Sequence, residues 1–403
     1  MILRNCRLIP ELCEDFEREM ADIRIEGTDI AEILPAGGNY LGEEVIDCGE
    51  KTVMPGLFDI HAHLWFEDLW RPFQSQTEYN QIIGTVVFMY DYLRYGYTSI
   101  RDMGSSGYDI TLKIRNDINA GRIVGPDIKA AGMILTPTFK DPQIPCYSHL
   151  YGMPIDGPDT VRHAVRKTLR DGADFIKILG TGTNCGDRPI LYEDELAEFQ
   201  KCCQEENAHL VIHSMSEEGN TLAIKYGAYS IEHALEWSQS NMDDLIQQGY
   251  KSSIVLNVAQ PGFLFYPPEI QKKNMSGVHM LREDKNVLIG FGTDYARDVF
   301  LQTPAMEFIG REKLGFSRIE VLKQATINSA KIQGTDNIRG SIKVGKRADL
   351  IVVDGKPDED LAVFGNKPVY VLKDGAVVSK NGYILTNNKK IEAPRAVETT
   401  LTE

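Results

Sequence analysis

Histidines and an aspartate that could bind a metal ion recur at the ends of short apolar segments in the middle of this sequence. The first of these segments ends in His61 and His63, which stand two residues apart. Side chains alternate between the faces of a strand, so these two imidazoles point to one side, about 7 Å apart along the backbone. Later segments end in His213, in His233 and just before Asp294. Imidazole and carboxylate are ligands of zinc in proteins, so the pattern predicts a metal site.

Each of these residues, taken alone, also has an ordinary structural explanation. A histidine at the end of a strand is often hydrogen-bonded to backbone in the core, and Asp294 could cap a turn or a helix. Their shared position at the ends of different segments favours one metal site over separate explanations for every residue.

Lys177 is unusual because it lies within the apolar run 175–179. A buried ammonium is costly unless it is paired, so one interpretation pairs Lys177 with Asp59 or Asp294, and another lets its head group reach solvent. The functional interpretation is a neutral lysine that reacts with carbon dioxide to form a carbamate. Burial and nearby metal cations both favour the uncharged amine that this reaction needs.

The elements that carry these residues predict a parallel α/β architecture. Eight apolar segments alternate with helical stretches, and eight strands over about 240 residues are typical of a (β/α)8 TIM-like barrel. The predicted strands are 57–63, 98–103, 128–135, 175–179, 210–213, 230–233, 252–256 and 287–292. Catalytic groups in such barrels come from the carboxyl ends of the strands, where the histidines and Asp294 stand.

The two ends of the sequence have a different pattern. Residues 1–54 and 340–403 contain short apolar strands between turns rich in glycine and aspartate. Neither end is a sufficient domain by itself. We therefore predict one small β-sandwich domain built from 1–54 and 340–403, with the barrel at 55–339 inserted between them.

Composition limits the partners. Of 403 residues, 43 are lysine or arginine and 58 are aspartate or glutamate, which gives a net charge of −15. Such a surface repels phosphates and anionic lipid, so we expect neither nucleic acid nor membrane as a partner. The seven cysteines are odd in number and show no metal-type C-x-x-C repeat. Together with an acidic beginning that lacks a signal-like apolar core, they predict a cytoplasmic location.

The motifs together resemble the amidohydrolase superfamily over nearly the whole chain. Within it, the sequence is similar to the imidazolonepropionase-related branch, which includes Xaa-Pro and Xaa-Arg/Lys dipeptidases and ochratoxin-type amidases. The segments that carry the resemblance are MPGLFDIHAH at 54–63, GYTSIRD at 96–102, GADFIK at 172–177, SIEH at 230–233 and GSIKVGKRADL at 340–350.

This resemblance implies a binuclear site and a mechanism. Two divalent ions, usually zinc, would be bridged by Lys177 carboxylated by carbon dioxide and by a hydroxide that attacks an amide carbonyl. Asp294 would then accept the proton of the hydroxide and deliver it to the leaving amine. The implied ligands are His61, His63 and Asp294 for one ion, and His213 and His233 for the other. The resemblance also implies a homo-oligomer.

Two departures from the family pattern concern the substrate. A Gly-Gly-His-Gly run is replaced here by residues 136–141, Thr-Pro-Thr-Phe-Lys-Asp, and a tyrosine is replaced by Met215. Met215 and His149, which lies in the loop after the third strand, are the candidate substrate contacts. We expect a hydrolase of an amide bond in a small molecule such as a dipeptide, an N-acyl amino acid or a cyclic amide.

Two other functions stay open from the sequence. A hydrolase of carboxylic or phosphorus esters would use the same site. A non-catalytic scaffold of the same fold would be expected to have lost metal ligands, whereas all six candidate positions are filled here.

Overall fold

The computed structural model describes residues 1–65, 78–104, 109–138, 152–258 and 268–385, without the side chains of 152–154. The chain is an α/β protein in which parallel strands alternate with helices. The strands are β1 (Ile2–Arg7), β2 (Met20–Glu26), β3 (Asp29–Pro35), β4 (Val45–Asp47), β5 (Thr52–Pro55), β6 (Leu57–Ala62), β7 (Tyr97–Asp102), β8 (Asp127–Ala130), β9 (Ile134–Thr136), β10 (Gly152–Pro154), β11 (Ile176–Leu179), β12 (Leu210–Ser214), β13 (Ser230–His233), β14 (Ser253–Leu256), β15 (Ile289–Phe291), β16 (Leu350–Val353), β17 (Tyr370–Lys373), β18 (Ala376–Lys380) and β19 (Tyr383–Ile384).

Most α-helices follow strands of the middle region, as expected for β/α units. They are α1 (Glu78–Arg94), α2 (Ile110–Asn119), α3 (Pro158–Arg170), α4 (Glu193–Glu205), α5 (Glu217–Lys225), α6 (Gln239–Gln247), α7 (Pro268–Glu283), α8 (Arg297–Gln302), α9 (Met306–Lys313), α10 (Arg318–Lys323) and α11 (Ser329–Gln333). A π-helical turn, Gln324–Asn328, joins the last two helices. No helix in the described part of the chain is both long and apolar enough to cross a bilayer.

The first five strands and the last four form one sheet. Its order is β19-β18-β17-β16-β5-β1-β2-β3, with β4 paired to β1. The two ends of the sequence meet where β5 and β16 pair antiparallel, with Val53 opposite Val352. Buried side chains from both ends, among them Leu3 and Leu372, pack in one apolar cluster of their own. The division into domains at residues 54 and 340 stays a prediction.

The middle strands form two parallel sheets, β6-β7-β8 and β10-β9-β11-β12-β13-β14-β15. Each of the eight predicted segments contains strand, but the third is split into β8 and β9 because Gly132 takes a φ of +73° between them. β10 was not predicted. Since the strands within each sheet are parallel, their carboxyl ends share an edge.

Alternation along β11 shows how the fold separates core from site. Ile176 and Ile178 pack in the main apolar cluster. Lys177, between them, must point to the opposite face of the strand, where it is only 1% exposed. On this strand, alternation thus places the two isoleucines in the apolar core and the lysine on the other face of the sheet.

Candidate metal centre

Three residues from three different strand ends bring metal-binding atoms together. One ligand atom each from His61, His233 and Asp294 lies within 4.8 Å of the other two. The histidines belong to β6 and β13, and Asp294 follows β15 by three residues. Both histidines are buried and Asp294 is partly buried.

Hydrogen bonds fix the tautomers of His61 and His63, the two histidines at the end of β6. His63 Nδ1 lies 2.9 Å from the carbonyl oxygen of Gly104, and His61 Nδ1 lies 2.6 Å from Glu232 Oε2. A carbonyl or carboxylate oxygen only accepts, so Nδ1 carries the proton in both rings. Their Nε2 atoms are left with free lone pairs and lie 3.7 Å (His61) and 3.5 Å (His63) from the same oxygen, Oδ1 of Asp294.

His213 adds a fourth ring in the opposite tautomer. Its Nε2 lies 3.1 Å from the Gly182 carbonyl oxygen, so Nε2 donates and Nδ1 is free. The ring centroid of His213 is 4.6 Å from that of His233, which is in turn 4.7 Å from that of His61. The ring centroid of His63 is 5.7 Å from that of His61, so the four histidines form one continuous group of rings.

Burial keeps these imidazoles neutral. It lowers the pKa of His63 to about 4 and that of His213 to about 3, and it moves the pKa of His61 and His233 well below the usual value. The nearby Lys177 charge acts in the same direction. Neutral imidazole is the form that ligates metals, so the rings are ready to bind without losing a proton.

Lys177 lies in the same charged environment. Burial lowers its pKa to about 8, against the opposing effect of the Glu232 and Asp294 carboxylates. Asp59, the other predicted partner, is engaged elsewhere: its Oδ2 accepts hydrogen bonds from Thr293 Oγ1 (2.6 Å) and Tyr92 Oη (3.0 Å).

The backbone is strained where two of the candidate ligands stand. His233 and Asp294 have φ angles of +66° and +53°, in the left-handed region that side chains other than glycine rarely adopt. Such conformations cluster at functional sites. At Gly292 a Cβ atom would lie 2.5 Å from His61 Cβ, so only glycine allows the strand to approach His61 this closely.

Glu232 and Arg101 are site residues that the sequence reasoning did not single out. Both are buried, and Arg101 Nη2 donates to Glu232 Oε1 at 2.8 Å. The signal was present but weak, because each is a charged residue within a predicted strand whose other residues are partly polar. Asp102 was also missed: it accepts the backbone N–H groups of Leu64 and Gly104 and so steadies the carbonyl that holds His63.

The two candidate substrate contacts remain predictions. Met215 is buried, and its backbone N–H donates to Thr181 Oγ1 at 3.0 Å. His149 lies outside the described residues.

The donor set fits a divalent metal ion. Neutral imidazoles and a carboxylate converge on one place, and the second nitrogen of three of the rings is fixed by an acceptor. This arrangement is typical of zinc sites. The described residues thus define a parallel α/β protein with a His/Asp cluster suited to a metal at the carboxyl ends of its strands.

Comparison with known proteins identifies the family. Residues 52–378 match the amidohydrolase family, so the chain belongs to it. An ochratoxinase from Aspergillus niger is 27% identical over 363 residues, which cover 78% of this chain and 72% of that protein. An imidazolonepropionase from Brevibacillus brevis is 27% identical over 210 residues, 51% of this chain and 43% of that protein. The crystal structure of a Xaa-Pro dipeptidase with bound methionine has a TM-score of 0.78 at 28% identity, covering 93% of this chain and 98% of that one.

These similarities confirm the predicted resemblance to the amidohydrolase superfamily and its imidazolonepropionase-related branch. The prediction of a metal-dependent amide hydrolase is confirmed at the level of this family.

Proposed function

We propose that this protein hydrolyses the C–N bond of an amide in a small molecule such as a dipeptide, an N-acyl amino acid or a cyclic amide. The observation that carries the proposal is the cluster of His61, His233 and Asp294, with ligand atoms within 4.8 Å of one another at three strand ends. Similarity to an ochratoxinase and to a Xaa-Pro dipeptidase supports peptide-like substrates.

The site is proposed to hold two zinc ions. His61, His63 and Asp294 would hold one of them, and His213 and His233 the other. Zinc ions bound there would activate water and polarise the substrate carbonyl.

Lys177 is proposed to be carboxylated and to bind both ions. Its uncharged amine would attack carbon dioxide: one C–N bond forms as one C=O π bond opens onto oxygen, and an N–H bond breaks to release one proton to solvent. The product is an anionic carbamate in place of a cation. The burial of Lys177 supports this role because burial favours the neutral amine.

Asp294 is proposed as the proton carrier of the reaction. Its carboxylate accepts a proton from the attacking water and delivers it to the nitrogen of the leaving amine. Two features support this role: its side chain remains 15% exposed, and its Oδ1 faces the Nε2 atoms of His61 and His63.

We also propose that the two parallel sheets close into a (β/α)8 barrel. β15 contacts β6, and Asp294 N donates to the His61 carbonyl oxygen at 2.8 Å. The Arg101–Glu232 bond joins β7 to β13 across the interior. The β-sandwich domain of 1–54 with 340–403, the cytoplasmic location and the homo-oligomer belong to the same proposal.

A substrate survey tests the function. Zinc-loaded protein is incubated with dipeptides, N-acyl amino acids and cyclic amides, and released amine or ring opening is measured. The double variant His61→Asn/His63→Asn is the blank. Turnover that disappears in the variant and after chelator treatment, and returns with zinc, supports the proposal. Turnover only on a parallel panel of carboxylic and phosphate esters would overturn it in favour of an esterase.

A further inference from the structure

The carboxylate of Glu232 contacts one member of the His/Asp cluster, His61, at the ring nitrogen that faces away from Asp294. Glu232 lies in β13 directly before His233 and is completely buried. Its Oε2 lies 2.6 Å from His61 Nδ1, on the side of the ring away from Asp294. Oε1 accepts hydrogen bonds from Ser230 Oγ at 2.6 Å and from Arg101 Nη2 at 2.8 Å. Both oxygens therefore have partners, and one partner is a candidate metal ligand.

Arg101 holds this carboxylate in place from another sheet. Its Nη1 donates to Ser230 Oγ at 3.1 Å, and its Nε donates to the carbonyl oxygen of Ile60 at 2.8 Å. Arg101 therefore binds the strand segment next to His61 and, at the same time, the carboxylate that receives the His61 ring. The guanidinium also balances the buried charge of Glu232, which would otherwise be costly.

These contacts decide which nitrogen of His61 can reach a metal. The carboxylate accepts the Nδ1 proton, so the Nε2 lone pair is directed towards Asp294 Oδ1. A carboxylate behind a histidine ligand also raises the basicity of the ring. An amide or a water molecule in its place would hold the ring less firmly and without charge.

We propose that Glu232, held by Arg101 and Ser230, is a positioning residue that fixes the tautomer and direction of His61 and thereby strengthens the metal site. This inference rests on the proposed metal-dependent function. It extends that function to a residue that touches neither substrate nor metal.

The test compares zinc binding by Glu232→Gln with that by a matched control. Glu307→Gln makes the same change in another fully buried Arg–Glu pair, with Arg311. Zinc affinity is measured by competition with a chromophoric chelator, and the Co²⁺-substituted proteins are compared by their visible absorption. Circular dichroism and urea unfolding of the metal-free proteins report folding separately.

We expect zinc affinity to fall about 10- to 100-fold in Glu232→Gln. The Co²⁺ spectrum should change in this variant as well. Glu307→Gln should lose stability but keep the affinity and spectrum of the wild type. Equal zinc affinity in Glu232→Gln and wild type would overturn the inference and leave the proposed function intact. A wild-type protein that takes up no zinc would overturn both.

A measurement on the wild type keeps the inference testable if Glu232→Gln does not fold. Histidine-selective ¹⁵N labelling of the zinc-loaded protein reports which His61 nitrogen carries the proton, with the resonance assigned by its loss in His61→Asn. A proton on Nδ1, together with a metal-shifted Nε2, supports the inference. A proton on Nε2 contradicts it, because the carboxylate would then not determine the ligating nitrogen.

Discussion

Two buried Arg–Glu pairs stabilise different parts of the same parallel sheets. Arg101 and Glu232 lie 2.8 Å apart beside the His/Asp cluster, and Arg311 and Glu307 lie 2.8 Å apart at the side of α9. All four side chains are at most 3% exposed. Charge and burial are therefore nearly the same in the two places.

Their remaining partners differ. Arg311 donates to the carbonyl oxygens of Leu256 (2.6 Å) and Gly290 (3.0 Å), so this pair joins α9 to β14 and β15. Arg101 also binds a backbone carbonyl, that of Ile60. The carboxylates differ more clearly: Glu307 accepts from the backbone N–H of Val258, whereas Glu232 accepts from a side chain, His61, that carries a free lone pair. A buried ion pair whose carboxylate accepts from the backbone stabilises packing. One whose carboxylate accepts from an imidazole also determines which nitrogen of that ring can bind a metal.

The largest effect should be on amide turnover and should come from replacing Asp294, whose carboxylate faces the His61 ring. We expect Asp294→Asn to lower amide turnover by about 10²–10⁴-fold, because the proton carrier is lost. Metal content, measured by inductively coupled plasma mass spectrometry, should remain substantial. Glu307→Gln is the control and should keep its turnover at temperatures where it is folded. Unchanged turnover in Asp294→Asn would remove this residue from the proposed role.

The next largest effect should come from removing either arginine. Arg101→Met and Arg311→Met each leave a buried carboxylate without its positively charged partner, which should cost about 3–5 kcal/mol in the free energy of unfolding of the metal-free protein. Urea unfolding followed by circular dichroism measures it. Only Arg101→Met should also weaken zinc binding. Equal zinc affinity in the two variants would remove the distinction between the pairs.

A smaller effect on stability is expected at Asp59, whose carboxylate accepts hydrogen bonds from uncharged hydroxyl groups. Tyr92→Phe removes the 3.0 Å hydrogen bond to Asp59 Oδ2, while Thr293 still donates to that oxygen. We therefore expect a loss of only about 1 kcal/mol in the free energy of unfolding. Thermal unfolding of Tyr92→Phe beside Tyr97→Phe, another fully buried tyrosine, provides the comparison. A loss as large as that of Arg311→Met would contradict this ranking.

The smallest effect on stability should appear at Glu14, where loops from the two ends of the sequence meet beside their shared sheet. Burial raises the pKa of Glu14, but hydrogen bonds from Lys346, Ser341 and Lys343 outweigh it and lower the pKa to about 2. The folded state thus favours the ionised form more than the unfolded chain does, whose glutamate pKa is about 4.3. This stabilisation is complete above that value and is lost as the pH falls towards 2.

Glu14→Gln should remove this part of the acid dependence. Urea unfolding of the wild type and the variant between pH 6 and pH 2.5 measures the difference, which should shrink as the pH falls. Partial exposure of Glu14 keeps the effect modest because solvent screens the pairs. A difference that stays constant with pH would mean that Glu14 does not titrate as described.

Most of the fold could be predicted because hydrophobic periodicity and turn-forming residues are local properties of the sequence. The strand around Ile176 and Ile178, for example, is visible in the sequence as a short apolar run. The break at Gly132 was missed because a positive φ is a property of the folded backbone and not of the residue alone. β10 was missed because a three-residue strand carries no readable period.

The candidate ligands could be predicted from one rule, that functional residues stand at the carboxyl ends of parallel strands. The contact between side chains of two distant strands could not. His61, His233 and Asp294 all stand at the carboxyl ends of parallel strands, so their types and positions were enough to predict that they come together; that they bind a metal stays a prediction. The contact between Arg101 and Glu232 spans 131 positions of the sequence. A charged residue within a buried strand needs a partner, but no local sequence pattern shows which partner it has.

The pairing of β5 with β16 has a consequence for synthesis of the chain. Thr52 donates to the carbonyl oxygen of Gly355, 303 positions later in the sequence. At a translation rate of about 5–20 residues per second, β5 emerges roughly 15–60 s before the strand that covers it. During that interval its apolar edge, with Val53 and Met54, lacks its neighbour and is open to other strands or to chaperones. The sheet that joins the two ends is thus completed late, after the strands that carry the His/Asp cluster have left the ribosome.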